Sequence, residues 1–164
     1  MKTLILALGN PILSDDGVAH EVADRLAERL NHSSAEAATQ YDIIKSSAAT
    51  MDIIPQLVGY DRLIVVDAVQ LGSAPPGTLY RFTLDELADT VRISSPHDTN
   101  FATALKISRQ WGYAVPADIR IYGIEAKELL RFSECCTPKV SEKLTQITEQ
   151  ILTDLTSGTQ NKQS

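Results

Sequence analysis

Two stretches of this chain are apolar without alternation: Leu4-Ile5-Leu6-Ala7-Leu8, stopped by Gly9-Asn10-Pro11, and Leu63-Ile64-Val65-Val66, stopped by Asp67. A strand with one wet face alternates apolar and polar residues, whereas a strand without alternation is covered on both faces. Two such runs predict interior strands of a parallel sheet with helices on either side. The helices are visible as well. Val18, Val22, Leu26 and Leu30 recur at four-residue spacing with charges between them, an amphipathic pattern. Phe101 to Trp111 reads as a second helix, and Val140, Leu144, Ile147, Ile151 and Leu155 mark a terminal one that starts at Thr137-Pro138, a cap and first-turn pair. Tyr41 to Lys45 and Ile119 to Ile124 are further strands. Thr78 to Phe82 alternates and comes after the preceding strand without a crossover helix, which predicts an edge or antiparallel position. Met51 to Val58 reads as a short helix, with Pro55 inside it counting against that assignment. The sum is an α/β sandwich with a mostly parallel central sheet.

A chain of 164 residues, 43% of them hydrophobic, supports one core and hence one domain, expected over residues 1–156. Residues 157–164 are expected to form a polar, disordered tail. The 15 Lys and Arg are interspersed with 21 Asp and Glu, leaving a net charge of -6 and no basic stripe, which argues against a nucleic-acid partner. Met1-Lys2-Thr3 and the apolar run after it have the outline of a signal peptide, but the run is too short and lacks a small-residue cleavage pattern. No other segment reaches transmembrane length, so no membrane partner is expected. Cys135 and Cys136 are adjacent, a placement that rarely reaches the geometry of a relaxed disulfide. A reducing, cytoplasmic setting fits them best.

In open parallel sheets, ligands bind beyond the C-terminal ends of the strands, where successive loops converge. Three loops qualify: Ser14-Asp15-Asp16-Gly17 after the first strand, Asp67 ending the second aliphatic run, and Ser95-Pro96-His97-Asp98 just before a helix. If they meet, two carboxylates and an imidazole face one cavity. Two oxygens and one nitrogen suit a borderline divalent ion such as Ni²⁺ or Zn²⁺, with positions left open. An open metal polarises a peptide carbonyl and acidifies water, as amide hydrolysis requires. Other roles are open to the same residues. Ser14 or Asp15 can cap the first helix with Asp16 in its first turn, Asp67 can close a turn, and a lone His97 can be an ordinary surface or hydrogen-bonded residue. Cys135 and Cys136 can be inert, and His20 and His32 receive no role.

Taken together, the blocks narrow the choice. Gly9-Asn10-Pro11-Ile12-Leu13-Ser14-Asp15-Asp16-Gly17 resembles the opening signature of the hydrogenase maturation endopeptidases. Val65-Val66-Asp67-Ala68, with its continuation through Pro76-Gly77, resembles the family's second block, and Ser95-Pro96-His97-Asp98-Thr99-Asn100-Phe101 the histidine-bearing third. Ile121-Tyr122-Gly123-Ile124-Glu125, Phe132-Ser133-Glu134 and Cys136-Thr137-Pro138 are similar to the closing segments. The resemblance covers Met1 to about Leu155 in the family's order. It implies a three-layer sandwich whose twisted five-stranded sheet lies between helices, and a metal site built from Asp16, Asp67 and His97, which would also be the catalytic residues. It further implies an endopeptidase that removes the C-terminal extension from a [NiFe] hydrogenase large subunit precursor already carrying nickel, the nickel coming with the substrate and other divalent ions able to substitute. Ala19 stands where many members have a second Gly, Ala126 where many have Pro, and Asp16 where some have the longer Glu; Cys135 beside Cys136 is unusual. A different class of protein, a non-catalytic nickel-sensing accessory that binds the precursor, would use the same three ligands. A nucleotide-binding protein is disfavoured, because the first loop lacks Gly-x-Gly-x-x-Gly and any Walker-type Lys, and carries two Asp at the helix start.

Overall fold

The two unalternating runs are the centre of the molecule. In the computed structural model, β1 (Thr3–Leu8) and β3 (Arg62–Val69) are buried at every position. The structure describes residues 1–32, 40–47, 51–89 and 96–157, with backbone alone at 87–89 and 96–100. Of the expected tail at 157–164, Ser157 is instead the last residue of the terminal helix, and 158–164 lie outside the described residues. The remaining strands are β2 (Tyr41–Ser46), β4 (Leu79–Phe82) and β5 (Asp118–Glu125), and the sheet order is β2-β1-β3-β5-β4. All neighbours pair in parallel except β4, which runs antiparallel to β5 at the edge, as its alternation predicts.

Successive residues of a strand face opposite sides, and the two sides are covered by different helices. Ile5, Ala7, Ile64, Val66 and Ile124 pack with Val18, Val22 and Leu26 of α1 (Val18–Asn31) and Ile147, Ile151 and Leu155 of α6 (Leu144–Ser157). Leu4, Leu6, Leu8, Leu63 and Val65 pack with Ile54 and Leu57 of α2 (Ile54–Leu57) and Phe101 and Leu105 of α4 (Pro96–Gln110). Each fully buried aliphatic side chain in these layers contributes about 1.5 to 3 kcal/mol. The result is a three-layer α/β sandwich. Among the described residues no helix is long and apolar enough to cross a membrane.

Several boundaries differ from expectation. β3 runs to Val69, so Asp67 stands inside the strand and not at its end. Pro55 is accommodated because it occupies the first turn of α2, where its missing N–H is not needed. The terminal helix is two helices, α5 (Pro138–Ser141) and α6, separated by a turn at Glu142 and Lys143. The turn keeps the apolar residues in phase, so the sequence pattern passes through it unbroken. A further helix, α3 (Leu84–Asp89), was not expected. Its signal is Thr83-x-x-Glu86, a capping box in which Thr83 Oγ1 accepts the Glu86 N–H (3.3 Å) and Glu86 Oε2 accepts the Thr83 N–H (2.7 Å).

This topology has a switch point. The chain leaving β1 crosses one face of the sheet through α1 to reach β2, whereas the chain leaving β3 returns on the other face, through α4, to β5. Sheets with such a switch point bind their ligands beyond the C-terminal ends of the strands that flank it, here β1 and β3.

Candidate active site

The chain leaves β1 through Gly9, at φ 138°. A Cβ placed there would lie 1.9 Å from the backbone oxygen of Asp16, so only glycine lets the loop fold back this closely. Asn10 organises the rest of the loop. Its Oδ1 accepts the Ile12 N–H (3.2 Å), its carbonyl accepts the Leu13 N–H (3.1 Å), and its own N–H donates to Asp16 Oδ2 (2.8 Å). Ser14 opens a 3-10 turn (Ser14–Gly17) at φ 47°, a left-handed conformation costing a non-glycine residue about 1 to 3 kcal/mol. The Ser14 N–H donates to the Ser133 carbonyl at 2.8 Å, which holds the strained residue in place. Gly9→Ala is expected to destabilise the protein by about 3 kcal/mol or more, combining positive φ with a backbone collision. Urea denaturation measures it, and a loss below about 1 kcal/mol contradicts this role for Gly9.

The two neighbouring carboxylates have different surroundings. Asp15 is fully buried, and four donors saturate it: Oδ2 accepts from Lys127 N (2.9 Å), Glu128 N (3.0 Å) and Thr137 Oγ1 (2.9 Å), and Oδ1 from Thr137 N (2.7 Å). It is a clamp between the first loop and the segment after β5. Neither Ser14 nor Asp15 makes a side-chain cap on α1 or its leading turn, whereas Thr137 and Pro138 take the expected N-cap and first-turn places of α5, with the Thr137 hydroxyl donating to Asp15 and making no side-chain cap bond. Asp16 is 7% exposed, accepts the Asn10 N–H, and interacts electrostatically with the His20 imidazole.

Asp67 is 1% exposed, and its Oδ1 accepts the N–H of Ala68 at 2.8 Å. It lies between Val65 and Val69, on the face of the sheet that α4 covers. The ladder between β1 and β3 ends at Ala7 and Val66, so Asp67 is the first residue of β3 beyond it, where β1 has turned away toward Gly9. Beyond it, the loop after β3 is tied down by the buried Glu125, whose carboxylate accepts the N–H groups of Leu71 (3.0 Å) and Gly72 (2.7 Å).

His97 was expected in a loop before a helix. The helix in fact begins at Pro96, which puts His97 in the first turn of α4; Ser95 and the His97 side chain lie outside the described residues. The backbone direction is informative. After α4 the chain enters β5 at Asp118, which pairs with Arg62 at the start of β3, so α4 ends near the N-terminal edge of the sheet. Its 15 residues span about 22 Å, which carries the Pro96 end toward the opposite edge, the one where Asp16 and Asp67 lie. Asp16 and Asp67 bring two buried carboxyl groups to that edge, oxygen donors of the kind that divalent cations take.

The cysteines stand apart from this edge chemistry. Both are free. Cys136 is buried, with its Sγ 4.0 Å from the Ser14 carbonyl oxygen, and burial pushes its thiol far above the usual range, with nearby Glu21 and Asp15 adding to the shift. A thiol held protonated is a poor nucleophile. Iodoacetamide is expected to add one carbamidomethyl group to the folded protein, on the exposed Cys135; labelling of Cys136 at a comparable rate contradicts its burial.

Comparison with known proteins fits this architecture. A family model described as hydrogenase maturation protease matches residues 21–154. The hydrogenase 2 maturation protease of Escherichia coli (strain K12) is 26% identical over 156 residues, which cover 94% of this chain and 91% of that protein. Among solved structures, the hydrogenase maturating endopeptidase from E. coli superposes with a TM-score of 0.75 at 24% identity, covering 96% of this chain and 94% of that one. The [NiFe] hydrogenase maturation protease from Thermococcus kodakarensis does so with a TM-score of 0.73 at 23% identity, covering 93% and 98%. These two superpositions establish the shared fold.

Proposed function

Because the chain belongs to the hydrogenase maturation protease family, we propose that it is the endopeptidase that removes the C-terminal extension from the nickel-loaded large subunit precursor of a [NiFe] hydrogenase. The observation that carries the site assignment is the contrast between Asp15 and its neighbours. Asp15 is consumed by four hydrogen bonds, while Asp16 next to it accepts one, from Asn10, and Asp67 stands just past the end of the β1–β3 ladder on the neighbouring strand. With His97 they offer the substrate's nickel two oxygen donors and one nitrogen donor.

In this reading the metal arrives with the substrate. A divalent ion held between the cysteines of the precursor and these three residues polarises the carbonyl of the bond to be cut. Asp16 and Asp67 do the positioning. A carboxylate beside the scissile carbonyl is also placed to take the proton from attacking water. Two carboxylates and one imidazole, with no thiolate among the three, hold metal weakly, and binding tightens when the precursor's cysteines complete the sphere. The free adjacent cysteines fit a reducing cytoplasm as its place of work.

The test mixes purified protein with nickel-loaded precursor and follows the mass of the large subunit. Loss of a C-terminal fragment is the expected result, and protein pretreated with iodoacetamide should cut equally well because neither cysteine is the nucleophile. A stable complex with the precursor at unchanged mass would instead support the non-catalytic accessory reading.

A further inference from the structure

The loop between β5 and α5 holds two large apolar side chains out in water: Leu130 is 83% exposed and Phe132 is 80% exposed. Leaving such side chains solvated is unfavourable, and a frayed loop would explain it trivially. This loop is not frayed. Glu128 Oε1 accepts the N–H groups of Leu130 (2.8 Å) and Arg131 (3.2 Å), which turns the chain tightly beneath both side chains. The Ser133 N–H donates to the Ile12 carbonyl (3.0 Å), and the Ser14 N–H donates to the Ser133 carbonyl (2.8 Å), so the loop runs beside residues 12–14 as a short parallel bridge. Asp15 adds its bonds to Lys127 and Glu128. Ile12, whose carbonyl accepts the Ser133 N–H, is itself 46% exposed.

We propose that Leu130 and Phe132, with Ile12, form a preorganised docking surface for the folded large subunit precursor. The inference rests on the function proposed above and names where that substrate is gripped outside the cleavage site. Two arguments select this occupant. The surface is tied to the first loop: the hydrogen bonds that hold it are made to Ile12, Ser14 and Asp15, the residues leading directly into Asp16, so it flanks the proposed cleavage site, where a bound precursor is within reach. Its form also fits a protein partner, because rigid apolar side chains bound by polar backbone turns are how binding energy is concentrated at protein interfaces. Preorganisation matters here because the loop has no ordering entropy left to lose on binding.

The test compares the wild type with the double variant Leu130→Ser/Phe132→Ser, using immobilised nickel-loaded precursor and measuring Kd, with melting temperature as a check on folding. Both side chains are exposed, so the fold should be unaffected. Trp111→Ser is the control, removing an apolar side chain that is 69% exposed after α4, near the opposite edge of the sheet. The double variant is expected to bind the precursor at least tenfold more weakly, with the control within twofold of wild type. In trimming assays the loss should appear in KM, with kcat within about twofold. Equal Kd for wild type and double variant overturns the docking surface, as does a wild-type dimer in sedimentation that the double variant abolishes, which would assign the face to self-association. Weakened binding by the double variant while the wild type leaves the precursor uncut sustains the docking surface and defeats the endopeptidase reading instead, so the two failures are distinguishable.

Discussion

His97→Ala is expected to abolish detectable trimming of the nickel-loaded precursor while leaving the melting temperature within about 2 °C of wild type. The proposed site has three protein donors, and removing the single imidazole takes away the only nitrogen among them. Losing one of three donors should cost at least several kcal/mol of charge stabilisation at the polarised carbonyl, and each 1.4 kcal/mol is about tenfold in rate. The fold should tolerate the change because the position lies in the first turn of α4, ahead of Phe101 and Leu105, which bury that helix against the sheet. Asp67→Asn should be similarly inactive, since it replaces one of the two proposed carboxylate donors with a neutral amide that holds a divalent ion less strongly. The assay is the mass of the large subunit over time. His97→Ala trimming at the wild-type rate would remove imidazole from the site and leave two carboxylates without a reason to select nickel.

The second large effect concerns the substrate. Nickel-free precursor is expected to remain uncut under conditions in which nickel-loaded precursor is trimmed to completion. Asp16, Asp67 and His97 are proposed as an incomplete site, and without the ion there is nothing to hold the scissile carbonyl beside the carboxylates. Two nearby carboxylates would then repel other electron-rich groups instead of attracting one. Parallel incubations of loaded and nickel-free precursor, read by mass, test this. Equal trimming of both would mean that the metal is not the recognition signal.

How much of the fold and the site is legible in the sequence depends on the range of the interactions involved. β1 and β3 announce themselves because a strand covered on both faces has no reason to alternate, and β4 announces its edge position by alternating and by lacking a crossover helix before it. That order of elements brings the loop Ser14–Gly17 and Asp67 to one edge of the sheet, and the proposal of Asp16 instead of Asp15 as a ligand rests on the family resemblance. The clamp made by Asp15 cannot. Its donors lie 112 to 122 residues away, and its sequence context is the one that ordinarily produces a helix cap. The same clamp takes up the hydroxyl of Thr137, the N-cap residue of α5. α3 escapes notice for a different reason: Thr83-x-x-Glu86 is visible, but six residues are too short to show a helical period. The role of Leu130 and Phe132 depends on their loop being hydrogen-bonded into place, which no local pattern records.

The proposed site is tested most directly by one measurement: the nickel-edge X-ray absorption spectrum of the loaded precursor, frozen before and after one equivalent of this protein is added. If Asp16, Asp67 and His97 grip the substrate's nickel, the spectrum should gain nitrogen and oxygen ligands at about 2.0 to 2.2 Å beside the existing sulfur shell, and the gain should shrink by the nitrogen component with His97→Ala. An identical spectrum before and after addition, in a sample whose precursor is nonetheless trimmed on thawing, would show that cleavage proceeds without contact between these residues and the metal.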